Sequence, residues 1–316
     1  MLLTGATGFL GRFLCLDILE RIHREGGKLI CLVRGKDSGL ARTRLMAAFG
    51  GGESQLGKRI LQLEAGLEIV TGDIGEEHLG VDFDTWGRLT KEVDSIIHAG
   101  ALVNHLLPYA SLFDANVNGT AELISLALTH HQKPISFMSS IAVATLNGEH
   151  PEHPLDEDQD IRKWAPLISA EDTYAAGYGL TKWASEVLLR EAHERLGLPV
   201  TVYRSSMILA HRSEAGQLNV PDMFTRLLLS VAATGLAPKS FYQAQVGQSV
   251  KDAHYDGLPV DFTSAAIIKT SLEQQPTGYR SFNLVNYHDD GVSLDVIISW
   301  MIARGVPIHI VDDYDE

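Results

Sequence analysis

Several features that mark metal-binding, secreted or membrane proteins are scarce or missing in this sequence. Two cysteines occur among 316 residues, and neither Cys15 nor Cys31 has CxxC or Cys/His ligand spacing, which argues against a disulfide framework or a structural zinc site. The 13 histidines show no ligand spacing either, so we expect no metal. Because no apolar run reaches membrane-spanning length and no signal peptide is recognisable, we predict a cytoplasmic protein without a membrane partner.

Basic residues are also in deficit. The chain has 26 Lys and Arg against 40 Asp and Glu, a formal net charge of −14. Because phosphate backbones are bound by clustered Lys and Arg, this balance argues against a nucleic-acid partner. Hydrophobic residues make up 45% of the chain, enough for a large core in one α/β unit or in a core with a smaller lobe.

Short β-branched runs alternate with longer amphipathic segments, which predicts a Rossmann-type doubly wound parallel sheet with helices on both faces. The candidate strands are 1–3, Leu29–Val33, Leu67–Thr71, 95–98, 135–139 and 200–204. A helix over 178–196 is predicted to pack through the apolar stripe of Ala184, Val187, Leu188 and Ala192.

Two domains are predicted from this pattern. The Rossmann core covers residues 1–210, and a smaller substrate-binding lobe covers 211–316, where the alternation loosens to a helix at 220–233 and a late strand at 282–285. An acidic, proline-containing insertion occupies about 145–173 of the core. A lid and a solvated loop are both open interpretations of this insertion.

A glycine-rich loop, TGATGFLG, lies between the first strand and the first helix. Gly5, Gly8 and Gly11 have GxxGxxG spacing, and glycine lets backbone N–H groups approach a pyrophosphate at the start of a helix. An ordinary strand-to-helix turn is the alternative, but the position between an apolar strand and an amphipathic helix is typical of a dinucleotide fingerprint. Thr7, Phe9 and Leu10 of the same loop are predicted to contact the cofactor.

The end of the second strand indicates which dinucleotide binds. Proteins that prefer NAD usually place an acid there, whereas a 2′-phosphate needs a cation. Here the strand runs into Arg34, and Arg44 follows on the next helix. NADPH is therefore the predicted cofactor, with Arg34 as its main phosphate and adenine contact; a solvated basic cluster is the alternative.

A phenol and an ammonium are spaced to share one helix face. Tyr178 and Lys182 are four residues apart in YGLTKW. The cation is expected to lower the tyrosine pKa from about 10 toward neutrality, which makes Tyr178 a usable proton donor and acceptor, and Lys182 can also hold the nicotinamide ribose. A surface pair is the alternative, but Ser140, after the fifth predicted strand, adds a hydroxyl that can bind a substrate carbonyl oxygen.

Further motifs follow one another along the chain: GDI at 72–74, HAGA at 98–101, NVNGT at 116–120 and MSSIAV before YGLTKW. With the glycine loop they resemble an extended short-chain dehydrogenase/reductase over nearly the whole chain. The segments ALVNHLLPY, AGQLNVPDMFTRLLLSVAATG and HYDGLPVDF are similar to the terminal thioester reductase (R) domain of bacterial carboxylic acid reductases. That family is related to the reductase domains that end some nonribosomal peptide synthetases.

The resemblance implies residue roles by position. Ser140, Tyr178 and Lys182 form the catalytic triad, Asp73 and Ile74 flank the adenine, and Asn116 supports the active-site network. The remaining predicted cofactor contacts are Ala99, Gly100, Ala101, Ser139, Ser205 and Ile208. The predicted substrate-side residues are Asn104, Ser206 and Asn219.

The resemblance also implies a reaction and its partners. An acyl group arrives as a thioester on the phosphopantetheine arm of an upstream carrier domain, and NADPH reduces it to an aldehyde. The expected partners are this carrier domain and the adenylation domain of the same polypeptide. The chain is thus expected to be a fragment of a larger multidomain enzyme, in agreement with its very short first strand.

Three alternatives remain at this point. A fatty acyl-CoA reductase would perform similar chemistry on a free thioester. A sugar-nucleotide epimerase or dehydratase would share the Ser/Tyr/Lys set but favour an acid where Arg34 stands. A noncatalytic NADPH-binding regulator would typically lose the Tyr/Lys pair that this sequence keeps.

One position departs from the family pattern. The segment after the sixth strand often reads Arg-x-Asp-Met-Ile in relatives, whereas this chain has RSSMI, with Ser206 in place of the acid. We expect this segment to pass the nicotinamide and over-reduction of aldehyde to alcohol to be easier here. A neutral or engineered substitution is the alternative.

Overall fold

The computed structural model describes residues 1–146, 155–163, 176–242, 253–273, 277–288 and 290–312. The chain forms two compact units. The first comprises Met1–Ser206 and Val260–Leu284, and the second comprises Met207–Pro259 and Val285–Glu316. The predicted boundary at 210/211 therefore differs from the observed division, because a helix and a strand near the end of the chain return to complete the first unit.

The first six strands agree closely with the prediction. Their bounds are β1 (Leu2–Thr4), β2 (Leu29–Val33), β3 (Leu67–Thr71), β4 (Ile96–His98), β5 (Ile135–Ser140), β6 (Val200–Ser205), β7 (Met207–Leu209), β8 (Leu236–Pro238), β9 (Gly257–Pro259), β10 (Tyr279–Leu284) and β11 (His309–Val311). The four short strands β7, β8, β9 and β11 were not predicted. The late strand predicted at 282–285 begins earlier, at Tyr279, because its residues pair along the whole of β6.

The first unit contains a parallel sheet with strand order β10-β6-β5-β4-β1-β2-β3 in the described residues. The chain moves outward from β1 to β3, then returns to the other side of β1 and continues through β4, β5 and β6. The strand order therefore reverses between β1 and β4, the point at which doubly wound folds open a ligand crevice at the carboxyl ends of their strands. The predicted Rossmann-type α/β class is confirmed.

The helices that cover this sheet and build the second unit are α1 (Phe9–Glu25), α2 (Ser38–Ala48), α3 (Gln55–Gln62), α4 (Phe83–Glu92), α5 (Tyr109–Phe113), α6 (Gly119–Leu128), α7 (Ala142–Thr145), α8 (Ala176–Leu196), α9 (Met223–Thr234), α10 (Val260–Ile268) and α11 (Leu294–Ala303). In the described residues, no helix combines the length and apolar character needed to cross a membrane. A π-helical turn over Asp114–Asn118 joins α5 to α6.

The second unit has its own small core. Val231 of α9, Ala237 of β8 and Ile298 of α11 are buried together. Helix α9 begins three residues later than predicted, because the Asp222 side chain accepts the backbone N–H groups of Phe224 and Thr225 and so caps the helix there.

The acidic insertion packs on the first unit where it is described. Leu155 and Ile161 are buried with Val143, and Trp183 Nε1 donates to the Ile161 carbonyl oxygen at 3.0 Å. Leu155 and Ile161 therefore anchor this part of the insertion on the first unit, while residues 156–159 between them are exposed. Residues 147–154 and 164–175 lie outside the described residues.

Two leucines of α8 can be compared to measure how much the buried face of this helix contributes to the free energy of unfolding. Leu189 is fully buried in the main core, whereas Leu196 of the same helix is 55% exposed. We expect Leu189→Ala to lower the free energy of unfolding by about 2–5 kcal/mol, because it removes buried methyl groups and leaves a cavity. Leu196→Ala should change it by less than about 1 kcal/mol. Urea denaturation of both variants checks this, and equal losses would contradict the packing described here.

Candidate active site

The glycine loop brings three backbone segments into close contact. Gly5 has a positive φ of 75°, and a Cβ on it would lie 2.5 Å from the amide nitrogen of Gly100. A Cβ on Gly11 would lie 1.9 Å from the carbonyl oxygen of Gly5. Neither glycine could be replaced by a residue with a side chain unless the backbone moved. Gly8 then starts α1 without a side-chain cap, so the first amides of the helix are available to an anion.

A cleft lies beside this loop at the switch point of the sheet. Its lining includes these residues predicted to bind the cofactor: Gly5, Thr7, Gly8, Arg34, Arg44, Asp73, Ile74, Ala99, Gly100 and Ala101. Close-packed glycine backbone, small alanines and exposed guanidinium groups form a lining that fits a dinucleotide phosphate.

Other residues of this lining were not predicted. Leu32, Val33, Gly72, Leu102 and Ala115 also border the cleft. The first four lie at or just after the carboxyl ends of β2, β3 and β4. The rule that ligands bind at those ends of the strands was therefore a usable signal for them. Ala115 lies in the π-helical turn, which no pattern in the sequence indicated.

A chain of hydrogen bonds supports the floor of the cleft. The Gly100 N–H donates to Thr4 Oγ1 at 3.1 Å, and Thr4 Oγ1 is hydrogen-bonded to His98 Nδ1 at 2.8 Å. Thr120 Oγ1 donates to the Asn116 carbonyl oxygen at 2.7 Å and lies 3.4 Å from His98 Nε2. Burial lowers the pKa of His98 to about 3, so this imidazole is neutral and structural.

Helix α8 carries Tyr178 and Lys182 on its buried face. Tyr178 is 8% exposed and Lys182 is 3% exposed, so the surface-pair interpretation is wrong. Lys182 Nζ donates to the Met138 carbonyl oxygen at 2.7 Å and lies 4.6 Å from the centre of the Phe137 ring. The ammonium is thus tied to the carboxyl end of β5, two residues before Ser140.

Burial controls the protonation of both groups. It lowers the pKa of Lys182 to about 7, against the opposite effect of the Glu186 carboxylate. It raises the pKa of Tyr178, so the expectation of a lowered tyrosine pKa is wrong for this structure. The reason is that the Lys182 ammonium bonds to a β5 carbonyl and lies 5.8 Å from the Tyr178 ring centre, while desolvation disfavours the phenolate.

Ser140 is the last residue of β5 and lies at the carboxyl end of the strand to which Lys182 is bonded. It lies opposite Ser205 in the pairing of β5 with β6, and the residue is half-buried. Ser140 Oγ accepts the backbone N–H of Ala142 at 3.1 Å, which leaves its own proton available to a further acceptor. The topology therefore brings Ser140 to the strand end that also holds Lys182.

Asn116 links the loop after β4 to α8. Its side chain accepts the Leu102 N–H at 2.7 Å and donates to the Leu102 carbonyl oxygen at 3.1 Å. It also donates to Thr181 Oγ1 at 3.0 Å, and Thr181 in turn bonds to the Tyr178 carbonyl oxygen. Asn116 thus supports α8 through Thr181 and is not among the described residues of the cleft lining.

Several predicted residues have side chains engaged within the protein. Ser139 Oγ donates to Glu186, and Ser205 Oγ donates to the Ser206 carbonyl oxygen. Ser206 Oγ donates to the Leu284 carbonyl oxygen at 3.2 Å. Asn104 Oδ1 accepts the N–H groups of two following residues and shapes its own loop.

The other predicted contacts are not among the described residues of the cleft lining. Phe9 packs edge-on against Phe13 at a centroid distance of 5.8 Å, and Leu10 is half-buried in the first turn of α1. Ile208 belongs to β7 and Asn219 precedes α9, both in the second unit. Their predicted roles remain predictions.

Comparison with known proteins places these features in a family. A family profile described as male sterility protein, of NAD-binding type, matches residues 3–267. The chain belongs to this family. A nicotinamide dinucleotide is therefore the cofactor class of this chain.

Individual relatives confirm the resemblance found in the sequence. The chain is 52% identical to the carboxylic acid reductase of Segniliparus rugosus, over 100% of this chain and 26% of that protein. It is 49% identical to the carboxylic acid reductase of Mycobacterium marinum, over 100% of this chain and 27% of that protein. The chain thus spans about a quarter of the length of these relatives.

A solved structure shows the same fold. The reductase (R) domain of a nonribosomal peptide synthetase from Mycobacterium tuberculosis matches with a TM-score of 0.88 and 43% identity. The match covers 99% of this chain and 73% of that one. The fold is therefore that of an R domain of the extended short-chain dehydrogenase/reductase type.

The contact between Gly11 and Gly5 generates a test of the cleft. We expect Gly11→Ala to reduce nicotinamide dinucleotide affinity by at least about tenfold, since the added methyl group must displace the loop backbone. Gly87→Ala in α4, where a Cβ meets nothing within 4 Å, should leave affinity unchanged. Titration of protein fluorescence with the dinucleotide measures both; equal affinities would show that the loop does not bind it.

Proposed function

We propose that this chain is an NADPH-dependent reductase that converts an acyl thioester, carried on the phosphopantetheine arm of a carrier domain, into an aldehyde. The observation that carries the proposal is the bond from Lys182 Nζ to the Met138 carbonyl oxygen. It fixes a buried Tyr/Lys helix against the strand end that bears Ser140. The two similar carboxylic acid reductases and the similar R domain support this reaction class.

The cleft suggests how the cofactor is held. The amides that follow Gly8 would bind the pyrophosphate, and Asp73 and Ile74 would flank the adenine. Arg34 and Arg44 are both exposed and both line the cleft, so they can bind a 2′-phosphate. The carboxylate in the described lining, Asp73, follows β3, which leaves no acid at the end of β2 to select the unphosphorylated ribose.

The catalytic residues would act on the thioester carbonyl. The Ser140 hydroxyl donates a hydrogen bond to the carbonyl oxygen, and Tyr178 donates a second. Because burial raises its pKa, Tyr178 holds its proton until the oxygen becomes anionic. Lys182 then stabilises the phenolate that remains.

A nicotinamide dinucleotide held by the cleft, with Lys182 on its ribose, would supply the hydride. Hydride addition to carbon and proton transfer from Tyr178 to oxygen give a hemithioacetal. Cleavage of its C–S bond, with loss of the hydroxyl proton to the sulfur, releases the aldehyde and the carrier thiol. The partners would therefore be the carrier domain and, further upstream, an adenylation domain that loads it.

The central test measures NADPH consumption with an acyl-pantetheine thioester while aldehyde and alcohol are quantified. The proposal expects aldehyde in proportion to NADPH consumed, with alcohol reporting any second reduction. The same acyl group should react faster on a carrier protein than on coenzyme A. Equal or greater turnover of the coenzyme A thioester would favour a free acyl-CoA reductase instead.

Replacement of the phenol separates catalysis from cofactor binding. Tyr178→Phe should lower kcat by about 10²- to 10⁴-fold, because the proton donor is lost, while NADPH affinity stays within about twofold since the ring is kept. Stopped-flow absorbance at the NADPH band and fluorescence titration provide the two measurements. A variant with wild-type turnover would remove Tyr178 from the mechanism.

Cofactor selectivity provides a second test. Arg34→Ala should weaken NADPH binding by about 10- to 100-fold, the loss of one charge-assisted hydrogen bond to a phosphate. NADH has no 2′-phosphate, so its affinity should not change and serves as the internal control. Parallel titrations of both dinucleotides check this, and a uniform loss for both would assign Arg34 to the adenine rather than the phosphate.

A further inference from the structure

A buried ion pair lies behind the proposed catalytic residues. Glu186 follows Lys182 by one turn of α8, and its carboxylate is bonded by Arg204 of β6. Arg204 Nη2 lies 2.9 Å from Glu186 Oε2, and Arg204 Nε lies 3.1 Å from Oε2 and 3.2 Å from Oε1. Both side chains have 0% exposure.

A net contribution to folding stability does not account for the presence of this buried ion pair. Desolvation of two buried charges offsets much of their attraction, and well-packed apolar side chains of similar size often serve equally well. The pair does, however, specify one arrangement of the elements that carry it, because either charge without its partner is strongly unfavourable in the interior. A role in positioning is therefore the hypothesis to examine.

The pair reaches the strand that bears the proposed catalytic serine. Ser139 Oγ donates to Glu186 Oε1, and Ser139 directly precedes Ser140. Ser139 lies opposite Arg204, and Ser140 opposite Ser205, in the pairing of β5 with β6. The carboxylate thus joins the carboxyl ends of two neighbouring strands to the helix that carries Tyr178 and Lys182.

We propose that Glu186 is a positioning residue of this active site: its carboxylate, held by Arg204, fixes the end of β5 that carries Ser140 against the helix that carries Lys182, and places a buried negative charge one helical turn from that lysine. The proposal rests on the reductase function proposed above.

The surroundings of Lys182 indicate why a nearby carboxylate matters. Burial lowers the pKa of Lys182 to about 7, and Glu186 is the charged group that raises it. In the described part of the chain, the other groups found against the ammonium are neutral: His98 of β4, the Phe137 ring and the Met138 carbonyl of β5, and the Tyr178 phenol of α8. The Arg204 guanidinium is a further charge, bonded to the Glu186 carboxylate. Without Glu186, the lysine would lose its proton at a lower pH.

The variant Glu186→Gln keeps the shape of the side chain and removes its charge. Activity should fall as pH rises through the pKa of Lys182, since the charged lysine is the active form. The glutamine variant should therefore lose activity at a pH lower by about one unit. Its kcat at pH 7.5 should therefore fall about eightfold through this shift, and most of this loss should be recovered at pH 6.

Two matched variants separate charge from position. Ser139→Ala removes the bond from β5 but leaves the charge pair, so kcat should fall about threefold or more without movement of the pH profile. Glu194→Gln removes a carboxylate from the exposed side of the same helix, so neither kcat nor the profile should change. An unmoved profile in Glu186→Gln, or equal movement in Glu194→Gln, would overturn the proposal.

Two further measurements distinguish a folding defect, a failure of the proposed reductase function and a failure of the proposed role of Glu186. If Glu186→Gln does not fold, the double variant Glu186→Gln with Arg204→Met removes both buried charges, and the shift of the pH profile should persist. NADPH affinity measured by fluorescence across pH should show the same shift, because Lys182 would hold the ribose. A protein that shows this shift but never reduces a thioester would refute the proposed function alone; absence of the shift would refute the role of Glu186.

Discussion

The site depends on one buried ammonium. The Lys182 side chain is buried, and its Nζ donates a hydrogen bond to the Met138 carbonyl oxygen of β5. This bond fixes α8 against the carboxyl end of the strand that carries Ser140. Because a buried cation is costly unless its hydrogen bonds and charge are compensated, the surrounding structure is organised to hold it. Glu186 supplies an opposite charge, and the Phe137 ring faces the ammonium at 4.6 Å.

The cofactor cleft rests on a different constraint, the close approach of backbone to backbone. Gly5 and Gly11 leave no room for a side chain, and the Gly100 amide is anchored through Thr4 to the neutral imidazole of His98. The same hydrogen-bonded series reaches Asn116 through Thr120. Asn116 in turn bonds to Thr181 of α8. The cleft and α8 are therefore connected by contiguous hydrogen bonds within the first unit.

Local patterns predicted the strands of the sheet to within a few residues, because parallel strands buried on both faces are short apolar runs. They also identified most of the cleft lining, since glycines and strand ends have a recognisable spacing. The apolar stripe assigned to α8 was less accurate. Ser185, Glu186 and Leu189 are buried there, whereas Ala184, Val187 and Leu188 are half-buried. A helix that packs polar side chains against a functional strand end does not follow hydrophobic periodicity.

The sequence by itself determined the class of fold, the position of the glycine loop and the pairing of Tyr178 with Lys182 on one helix face, because these depend on neighbours close in the chain. Only the tertiary structure decided which groups are desolvated and what they meet: the raised pKa of Tyr178, the Lys182 bond to β5, the return of residues 260–284 to the first unit, and the burial of Glu186 with Arg204. These features depend on contacts between residues distant in sequence, which periodicity and spacing do not encode.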